Sequence, residues 1–426
     1  MKNQNVKRKL LAASLASGLV VASLVGTAST SANAATTTCI SKIMGPGGKA
    51  AGQGVTINAG MLLAMTGGGS FFGDVMSKGA KLAAEQIKNA GGFNYKIQIA
   101  DHKNGDVPTA LTEVKRMVSQ GKIKVLQTSY GAPSEAIAPI VAANKVLTIN
   151  GGGSSPGQLK KDFLWQNRML FGDDPTAGAL AWIKKKFPTA KKLAIIGTQE
   201  NGVGAQTTVA PEAWKKLGGT VVASESHDVG ATDFTSLASK IKASGADAII
   251  TYSFGNDVGY QVKALRQANI TAPIMGIEFT ANAQEIAGDS FDTFNFATDF
   301  YNVANPNPWN KCFVKEYRAK YGEDPEYYGS NYYEQVFIYW ELVKRVIAKG
   351  GNPNDSAQLQ AELKKNPTFN SVYGGDAKKI GQATFVVKDH SISKPMGVFS
   401  VKNGKPVLAQ GIVKVAASAN PNTALK

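Results

Sequence analysis

The chain has 426 residues, a length that favours two or three domains over one. Its 43% hydrophobic and 18% charged residues are typical of a globular protein, which excludes a disordered or fibrous chain. The formal net charge is +16, but the lysines are scattered in short groups such as 160–161 and 184–186, which argues against a nucleic-acid-binding protein.

Residues 1–34 have the three parts of a secretory signal peptide. A positive start is followed by an apolar run at 10–26 and by "SANA" at 31–34, so we expect cleavage near Ala34. A membrane anchor is the alternative, which the short Ala- and Ser-rich run disfavours. Cleavage would remove the four cations of this segment and lower the formal charge from +16 to +12. We therefore expect a periplasmic or secreted protein.

The mature chain is expected to start with a flexible segment, residues 35–54, which is rich in Gly, Thr and Ala. It contains Cys39, and the only other cysteine is Cys312. The residues before Cys39, "TTT", do not match the motif that precedes a lipid-modified cysteine. Two distant cysteines form no metal or redox motif, and in an oxidising compartment a disulfide is possible but not determined by the sequence. We expect no metal and no cofactor.

The first half of the mature chain alternates between buried strands and helices. Strands are predicted at 55–63, 95–101, 124–130 and 146–150, and helices at 74–90, 108–120 and 134–144. The pattern restarts with strands at 192–198, 220–226, 246–253 and 273–278, and with helices at 204–218, 233–244 and 257–269. Strands that are apolar throughout and alternate with helices form parallel sheets covered on both faces. The fold class predicted is α/β, with two doubly wound parallel-sheet lobes.

Later elements are expected to join these two sheets. They are a strand at 294–302, helices near 309–321, 331–349 and 355–365, and strands at 383–388, 396–402 and 407–415. The chain would then cross between the lobes several times and form a multi-strand hinge around a cleft. We assign lobe 1 to 55–173 and 300–393, lobe 2 to 174–299 and 394–417, and a C-terminal tail to 418–426.

The loops after the strands are the candidate binding loops, because ligands of open α/β sheets bind beyond the carboxyl ends of the strands. "NGGGSSP" at 150–156 can bring backbone N–H groups close to an anion, with Ser154 and Ser155 as hydroxyl donors. A phosphate loop is excluded because Gln158 and Leu159 stand where lysine and serine or threonine are needed. A carboxylate fits better, and a simple turn is the alternative.

Glu278 follows a run that should be buried, "APIMGIE". A carboxylate at the end of a core strand needs a cationic partner or a structural role. It could hold an ammonium group, or it could cap the helix expected at 281–287. Five aromatic residues in the same set of loops could line a pocket or belong to the core: Phe71, Phe72, Tyr130, Tyr252 and Phe254.

The sequence gives little support for an enzyme. The three histidines, His102, His227 and His390, are isolated in the sequence, and no nucleophile–base motif stands out. His102, in "ADHKNGD", is expected to be a loop residue and not a base.

From about residue 55 to residue 415, the chain resembles the periplasmic substrate-binding proteins of branched-chain amino acid ABC transporters, which have the type I periplasmic-binding fold. Eight segments carry the resemblance in order: "AMTGGGSFFGD", "IQIADHKNGDVPTAL", "TSYGAPSEAIAP", "INGGGSSP", "KKLAIIGTQENGVG", "GATDFTSLASKIKASGADAII", "LRQANITAPIMGIE" and "PMGVFSVKNGKPV".

The resemblance implies a monomeric receptor that closes on a small amino acid and is recognised by the membrane permease subunits of the transporter. It also implies a set of ligand-binding residues in the strand-end loops: Phe72, Ala132, Pro133, Ser134, Gly152, Ser154, Asn201, Phe254 and Glu278. We add Tyr130 to this set because it lies in one of the same loops. In this set Glu278 takes the ammonium group, and Gly152 and Ser154 take the carboxylate and the amine. Tyrosine is common in the family at the positions of Phe72, Asn201 and Phe254. These departures keep amides, urea and aromatic carboxylates open as ligands. A ligand sensor with the same fold is the alternative function.

Overall fold

The chain folds around two large β-sheets whose central strands are parallel, as the alternation of buried strands and helices predicts. The computed structural model describes residues 39–153, 155–167, 173–198, 206–299, 301–416 and 418–426. The elements up to residue 166 are α1 (Cys39–Met44), β1 (Thr56–Leu63), α2 (Ser70–Asn89), β2 (Asn94–Asp101), α3 (Val107–Ser119), β3 (Val125–Thr128), α4 (Gly131–Ala143), β4 (Leu147–Asn150) and β5 (Leu164–Gln166).

The second group of elements repeats this alternation. It consists of α5 (Asp173–Lys186), β6 (Lys192–Thr198), α6 (Gln206–Lys216), β7 (Thr220–His227), α7 (Thr235–Ser244), β8 (Ala248–Tyr252), α8 (Asn256–Gln267), β9 (Ile274–Gly276), α9 (Ala281–Ala287) and β10 (Phe294–Asp299). The last group consists of α10 (Pro308–Tyr321), α11 (Tyr327–Ala348), α12 (Ser356–Lys365), β11 (Thr368–Ser371), β12 (Gly381–Val386), β13 (Ser391–Ser393), β14 (Met396–Lys402) and β15 (Lys405–Ile412).

Lobe 1 is built on a five-stranded parallel sheet in the order β2-β1-β3-β4-β5. A large core containing Trp165, Tyr333 and Trp340 covers one face, and a smaller core around Leu126 and Val141 covers the other. Lobe 2 is built on a seven-stranded sheet in the order β15-β14-β10-β9-β8-β6-β7. In that sheet β6 to β10 are parallel, while β14 and β15 are antiparallel to their neighbours.

The late strands differ from the prediction. Only β14 and β15 join an existing sheet, because β11, β12 and β13 form a separate three-stranded antiparallel sheet. Its inner residues Phe369, Phe385 and Ile392 pack into the large core of lobe 1. The sequence analysis also did not predict β5 and α5.

The N-terminal segment is another correction. Residues 35–54 were expected to be flexible, but the described part forms α1 and a 3₁₀ turn at Lys49–Ala51. Ile40 and Ala51 are buried in the core of lobe 1, and the indole N–H of Trp340 donates to the carbonyl of Ala51 at 2.7 Å. A disulfide joins Cys39 to Cys312 on α10, with the two Cα atoms 6.1 Å apart. The glycines allow the turns of this segment, but buried side chains and the disulfide hold it in place.

The end of the chain is also attached to a lobe. Residues Pro421–Ala424 form a 3₁₀ turn next to α5, and Ile412 pairs with Leu425 in an isolated antiparallel bridge. Within the described residues, no helix combines the length and the apolar character needed to cross a membrane.

Two of the segments that pass between the lobes are bonded to the first half of α11. Asn167, just after β5, donates from its amide to the carbonyl of Asn331 at 3.1 Å. Lys394, which lies between β13 and β14, donates to Asn331 Oδ1 at 2.6 Å and to Glu334 Oε2 at 3.1 Å. Both members of the Lys394–Glu334 ion pair are buried. Tyr301, just after the third crossing, packs its ring against Tyr373. α11 therefore bonds two of the crossing segments directly and reaches the third through Tyr373, whose hydroxyl lies 2.7 Å from Asn331 Oδ1.

Candidate functional site

The carboxyl ends of the strands bring the predicted loops together. In lobe 1 these are the loops after β1, β3 and β4, and in lobe 2 the loops after β8 and β9. Ser154 and Asn201, which the sequence analysis selected, lie outside the described residues. The other predicted residues can be placed.

Glu278 lies two residues after β9 and is only 1% exposed. Its Oε1 accepts the backbone N–H of Gly255 at 2.6 Å. Its Oε2 accepts the hydroxyl groups of Tyr328 at 2.7 Å and Tyr327 at 3.2 Å. Both tyrosines begin α11 in lobe 1, so this carboxylate of lobe 2 is bonded across the two lobes. Three donors lower the cost of burying its charge.

The alternative structural role of Glu278 as a helix cap does not occur. The residue before α9 is Thr280, whose hydroxyl oxygen accepts the N–H of Ala283 at 3.1 Å. Threonine is a common N-cap because its side chain satisfies a backbone donor in the first turn. The carboxylate of Glu278 therefore faces the strand-end loops instead of its own helix.

Aromatic rings from both lobes pack beside Glu278. Phe72 on α2 makes edge-to-face contacts with Tyr130 at 6.3 Å and with Tyr328 at 5.0 Å between ring centroids. Tyr130 in turn contacts Phe254 of lobe 2 at 6.1 Å. We call Phe72, Tyr130, Phe254 and Tyr328 the aromatic cluster. Its edge-to-face pairs are favourable geometries for aromatic rings, and they bring the two lobes into contact at the site.

The other two aromatic candidates have different positions. Phe71 packs edge-to-face on Phe72 at 5.7 Å, at the margin of the aromatic cluster. Tyr252 is fully buried in the core of lobe 2, where its hydroxyl is 3.0 Å from that of Thr176 on α5. Tyr252 therefore belongs to the packing of lobe 2 and does not line the loops.

The three glycines at 151–153 allow two loops of the chain to pack closely together. A Cβ atom on Gly153 would lie 2.5 Å from the Cα of Tyr130, and one on Gly152 would lie 2.3 Å from the terminal methyl of Met76. The N–H groups of Gly152 and Gly153 both donate to Asn150 Oδ1 at 3.0 Å. The sequence analysis expected these N–H groups to converge on an external anion, whereas in the structure they converge on the chain's own amide oxygen.

Asn150 also fixes the neighbouring loop. Its amide nitrogen lies 3.0 Å from the carbonyl of Tyr130, 2.8 Å from Ser134 Oγ and 2.9 Å from Gln158 Oε1, so its two N–H groups are shared among three acceptors. Tyr130 has φ 62° and ψ 156°, a conformation that costs energy for any residue other than glycine. Its hydroxyl donates to Asn104 Oδ1 at 2.9 Å. These bonds at both ends of Tyr130 hold its ring in the aromatic cluster.

Ala132, Pro133 and Ser134 form the first turn of α4. Pro133 and Ser134 are buried and Ala132 is half-buried. Ser134 Oγ lies 3.1 Å from the hydroxyl of Thr128 and also accepts from Asn150. Ser155, the second hydroxyl of the glycine loop, donates to the carboxylate of Glu135. Both serines therefore stabilise the loops from within.

Each lobe has a histidine bonded to a serine at the end of a central strand. His102 Nε2 lies 2.8 Å from Ser129 Oγ, and His227 Nε2 lies 2.7 Å from Ser253 Oγ. His102 Nδ1 accepts the N–H of Gly105, so its Nε2 carries the proton and cannot take one from Ser129. Burial lowers the pKa of His102 from 6.5 to about 4, which keeps the ring neutral.

The second pair superficially resembles a catalytic triad, since His227 Nδ1 is 3.8 Å from Asp257 Oδ2. However, Ser253 is completely buried, and Nδ1 of His227 donates to the carbonyl of Asp228 at 2.8 Å. A nucleophile must reach its substrate, so these groups stabilise lobe 2 instead of performing a reaction. Burial, together with the nearby charge of Glu278, raises the pKa of Asp257 to about 6.

Sequence reasoning missed Tyr327, Tyr328 and Asn104. The two tyrosines were placed before the helix expected at 331–349, but α11 begins at Tyr327 and turns both hydroxyl groups toward Glu278. "EYYGSNYY" is rich in tyrosine, and this enrichment was the available signal. No local pattern could pair it with Glu278, about fifty residues earlier in the chain.

Comparisons with known proteins agree with this architecture. The family model described as "Periplasmic binding protein" matches residues 56–406. A Leu/Ile/Val-binding protein homologue of Brucella melitensis is 25% identical over 365 residues, which cover 82% of this chain and 93% of the homologue. An amino acid binding protein of Pseudomonas aeruginosa is 26% identical over 316 residues, covering 71% and 80% of the two chains.

Two solved structures have the same fold. A leucine-binding protein of Thermotoga maritima superposes with a TM-score of 0.73 at 23% identity, covering 84% of this chain and 99% of the other. A solute-binding protein of an ABC transporter from R. palustris, in complex with benzoate, has a TM-score of 0.74 at 19% identity and covers 85% and 97%. With its two α/β lobes and a family match over most of its length, the chain belongs to the periplasmic binding protein family, whose members are extracytoplasmic and bind substrates without converting them.

Proposed function

We propose that this protein is the receptor of an ABC importer and binds a small amino acid, branched-chain or related, between its two lobes. The observation that carries the proposal is the carboxylate of Glu278. It is buried at the strand-end loops of lobe 2 and faces hydroxyl groups of lobe 1. A carboxylate can accept about four hydrogen bonds, and the described residues donate three to Glu278, so the proposal gives the fourth to an ammonium group.

The ligand carboxylate would be bound by the loops of lobe 1. We assign the hydroxyl of Ser154 to this role and the carbonyl of Gly152 to the amine of the ligand, because the N–H of Gly152 is already bonded to Asn150. Ala132, Pro133 and Ser134 would form the adjacent wall. Asn150 anchors the N–H groups of Gly152 and Gly153, which supports a loop whose position is fixed before the ligand arrives. Asn201 would contact the ligand from lobe 2.

The side chain of the ligand would pack against the aromatic cluster. Phe72 and Tyr130 belong to lobe 1 and Phe254 to lobe 2, so closure of the lobes would bring these rings around a bound molecule. The lobes would be 55–173 with 300–393 and 174–299 with 394–417. The crossings held by Asn331 and Lys394 would form the hinge.

The protein would act as a monomer after cleavage near Ala34 and would deliver its ligand to the permease subunits of the transporter. The relatives named for Leu, Ile and Val binding support the amino acid class.

An aromatic carboxylate is the second candidate ligand, and the aromatic cluster favours it. Its rings would stack on a benzene ring, and neighbours of this fold were solved with benzoate and 4-hydroxybenzoate. In that case Glu278 would only connect the lobes through Tyr327 and Tyr328, without contacting the ligand.

A thermal-shift panel on the processed protein distinguishes the two ligand classes. The panel contains aliphatic, aromatic and polar amino acids, benzoates, amides and urea. A ligand at a hundred times its Kd stabilises the folded state by about 2.7 kcal/mol, a shift that is easily measured. Shifts confined to amino acids support the proposal. Shifts produced only by benzoates would replace it with the second candidate.

A further inference from the structure

Six exposed lysines lie together at the end of lobe 2 opposite to the candidate site. We call them the basic end: Lys185, Lys186, Lys191, Lys192, Lys215 and Lys216. α5 and α6 finish at this end, where β6 and β7 begin. The indole N–H of Trp214 donates to the carbonyl of Lys191 at 3.0 Å, which holds the last turn of α6 beside the start of β6.

The charges of lobe 2 are separated along its strands. Four carboxylates lie at or just after the carboxyl ends of β7 to β10, namely Asp228, Asp257, Glu278 and Asp299. The basic end lies at the amino ends of the strands. The seven residues of β6 separate the two ends by roughly 20 Å, since a strand rises about 3.3 Å per residue. This separation exceeds the Debye length of about 8 Å at physiological ionic strength. The acidic groups of the cleft therefore do not neutralise the basic end.

Among the residues that the structure describes, two carboxylates are placed close to the basic end. Asp247 accepts the backbone N–H groups of Lys191 and Lys192, and Glu212 lies one turn before Lys215 and Lys216 on α6. Asp289 and Asp292 precede β10, three strands away from β6 in the sheet. The six lysines of the basic end outnumber these two carboxylates, Asp247 and Glu212, so the surface carries a net positive charge.

The chemistry of this surface fits an extended anionic partner. Lysine ammonium groups are flexible, strongly hydrated point charges, which suit a diffuse array of phosphates better than one chelated phosphate. The family's extracytoplasmic location makes phospholipid head groups such an array. Cys39 is bonded to Cys312 and is therefore not available for lipid modification.

We propose that the basic end binds the protein to an anionic phospholipid bilayer, with the cleft directed away from the lipid. This attachment is independent of the ligand that the cleft takes, because the two sites lie at opposite ends of lobe 2. It would keep the receptor at the membrane without occupying the loops that bind the ligand.

Co-sedimentation with vesicles tests the proposal on the processed protein. The wild type is compared on phosphatidylcholine vesicles with and without about 30% phosphatidylglycerol. We expect binding only to the anionic vesicles, and loss of binding at about 1 M salt, where the Debye length is about 3 Å. Equal sedimentation with both lipids would overturn the proposal.

A matched pair of variants separates the basic end from overall charge. K186Q/K191Q/K192Q/K215Q removes four cations from the basic end, and K96Q/K365Q/K378Q/K379Q removes four exposed lysines from lobe 1. Each lysine near an anionic surface contributes about fivefold, so the loss of four should make the first variant partition roughly 600-fold more weakly, and the second should partition nearly as the wild type. An equal loss in both variants, or stronger binding to soluble polyphosphate than to vesicles, would contradict the proposal.

Discussion

Two buried groups, one in each lobe, should make stability depend on pH in opposite directions. Burial lowers the pKa of His102 from 6.5 to about 4, so its neutral form stabilises lobe 1 above pH 6.5 and this stability is lost as the pH falls to 4. Burial raises the pKa of Asp257 from 3.8 to about 6, and the charge of Glu278 adds to the increase. Its contribution is present below pH 3.8 and is lost as the pH rises to 6.

Asp257→Asn removes the carboxyl group whose protonation stabilises lobe 2 at acidic pH. One pKa unit corresponds to about 1.4 kcal/mol, so between pH 6 and 4.5 the protonation of Asp257 offsets about 2 kcal/mol of acid destabilisation. We expect the free energy of unfolding of the variant to fall by about 2 kcal/mol more than that of the wild type over this range. Burial lowers the pKa of His227, which faces Asp257, and of His390, as it does for His102, and this adds to the acid sensitivity of both proteins.

Urea unfolding at pH 6.5 and 4.5, followed by circular dichroism, measures this difference. His102→Gln is the matched control in the other lobe, since glutamine can still donate to Ser129 but does not titrate. It should lose less stability on acidification than the wild type. Equal pH dependence of the wild type and Asp257→Asn would refute the reasoning.

Three further predictions concern lobe 1 and the hinge. Lys394→Met leaves Glu334 buried without its cation and should cost about 3–5 kcal/mol in urea unfolding, whereas the double variant with Glu334→Gln should recover part of the loss. Replacing Cys39 and Cys312 by serine should cost about 2–5 kcal/mol, and a reducing agent should destabilise the wild type but leave this variant unchanged. Gly79→Ala would place a Cβ 2.1 Å from a carbonyl of α11 and should cost about 1–3 kcal/mol; unchanged stability would show that α2 and α11 can separate freely.

The two parallel sheets followed from the sequence because the periodicity of buried strands is a local property. Strand and helix bounds near β1, β6 and α10 were predicted to within a few residues. The third sheet was not, since β12 alternates between buried and exposed residues and its partners are set by packing against Phe369 and Trp165. The composition of the N-terminal segment predicts flexibility, because it does not reveal a disulfide to Cys312.

The candidate site was predictable in its loops but not in its contacts. Glu278 stood out as a carboxylate at the end of a buried run, and the structure buries it as expected. Its partners Tyr327 and Tyr328 come from another lobe, a long-range contact that no local pattern contains. The glycines of 151–153 were recognised as a sign of close approach, but the approaching group is the backbone of Tyr130.

The central claim is that Glu278 binds the ammonium group of an amino acid. Calorimetry with leucine and with 4-methylpentanoate, which is leucine without its amino group, tests it on the wild type and on Glu278→Gln, with Tyr328→Phe as a control that keeps the carboxylate. The account predicts that Glu278→Gln weakens leucine by at least about 100-fold, the cost of removing a buried charged partner, and leaves 4-methylpentanoate nearly unchanged. Equal weakening of both ligands, or the same loss in Tyr328→Phe, would mean that Glu278 only joins the lobes.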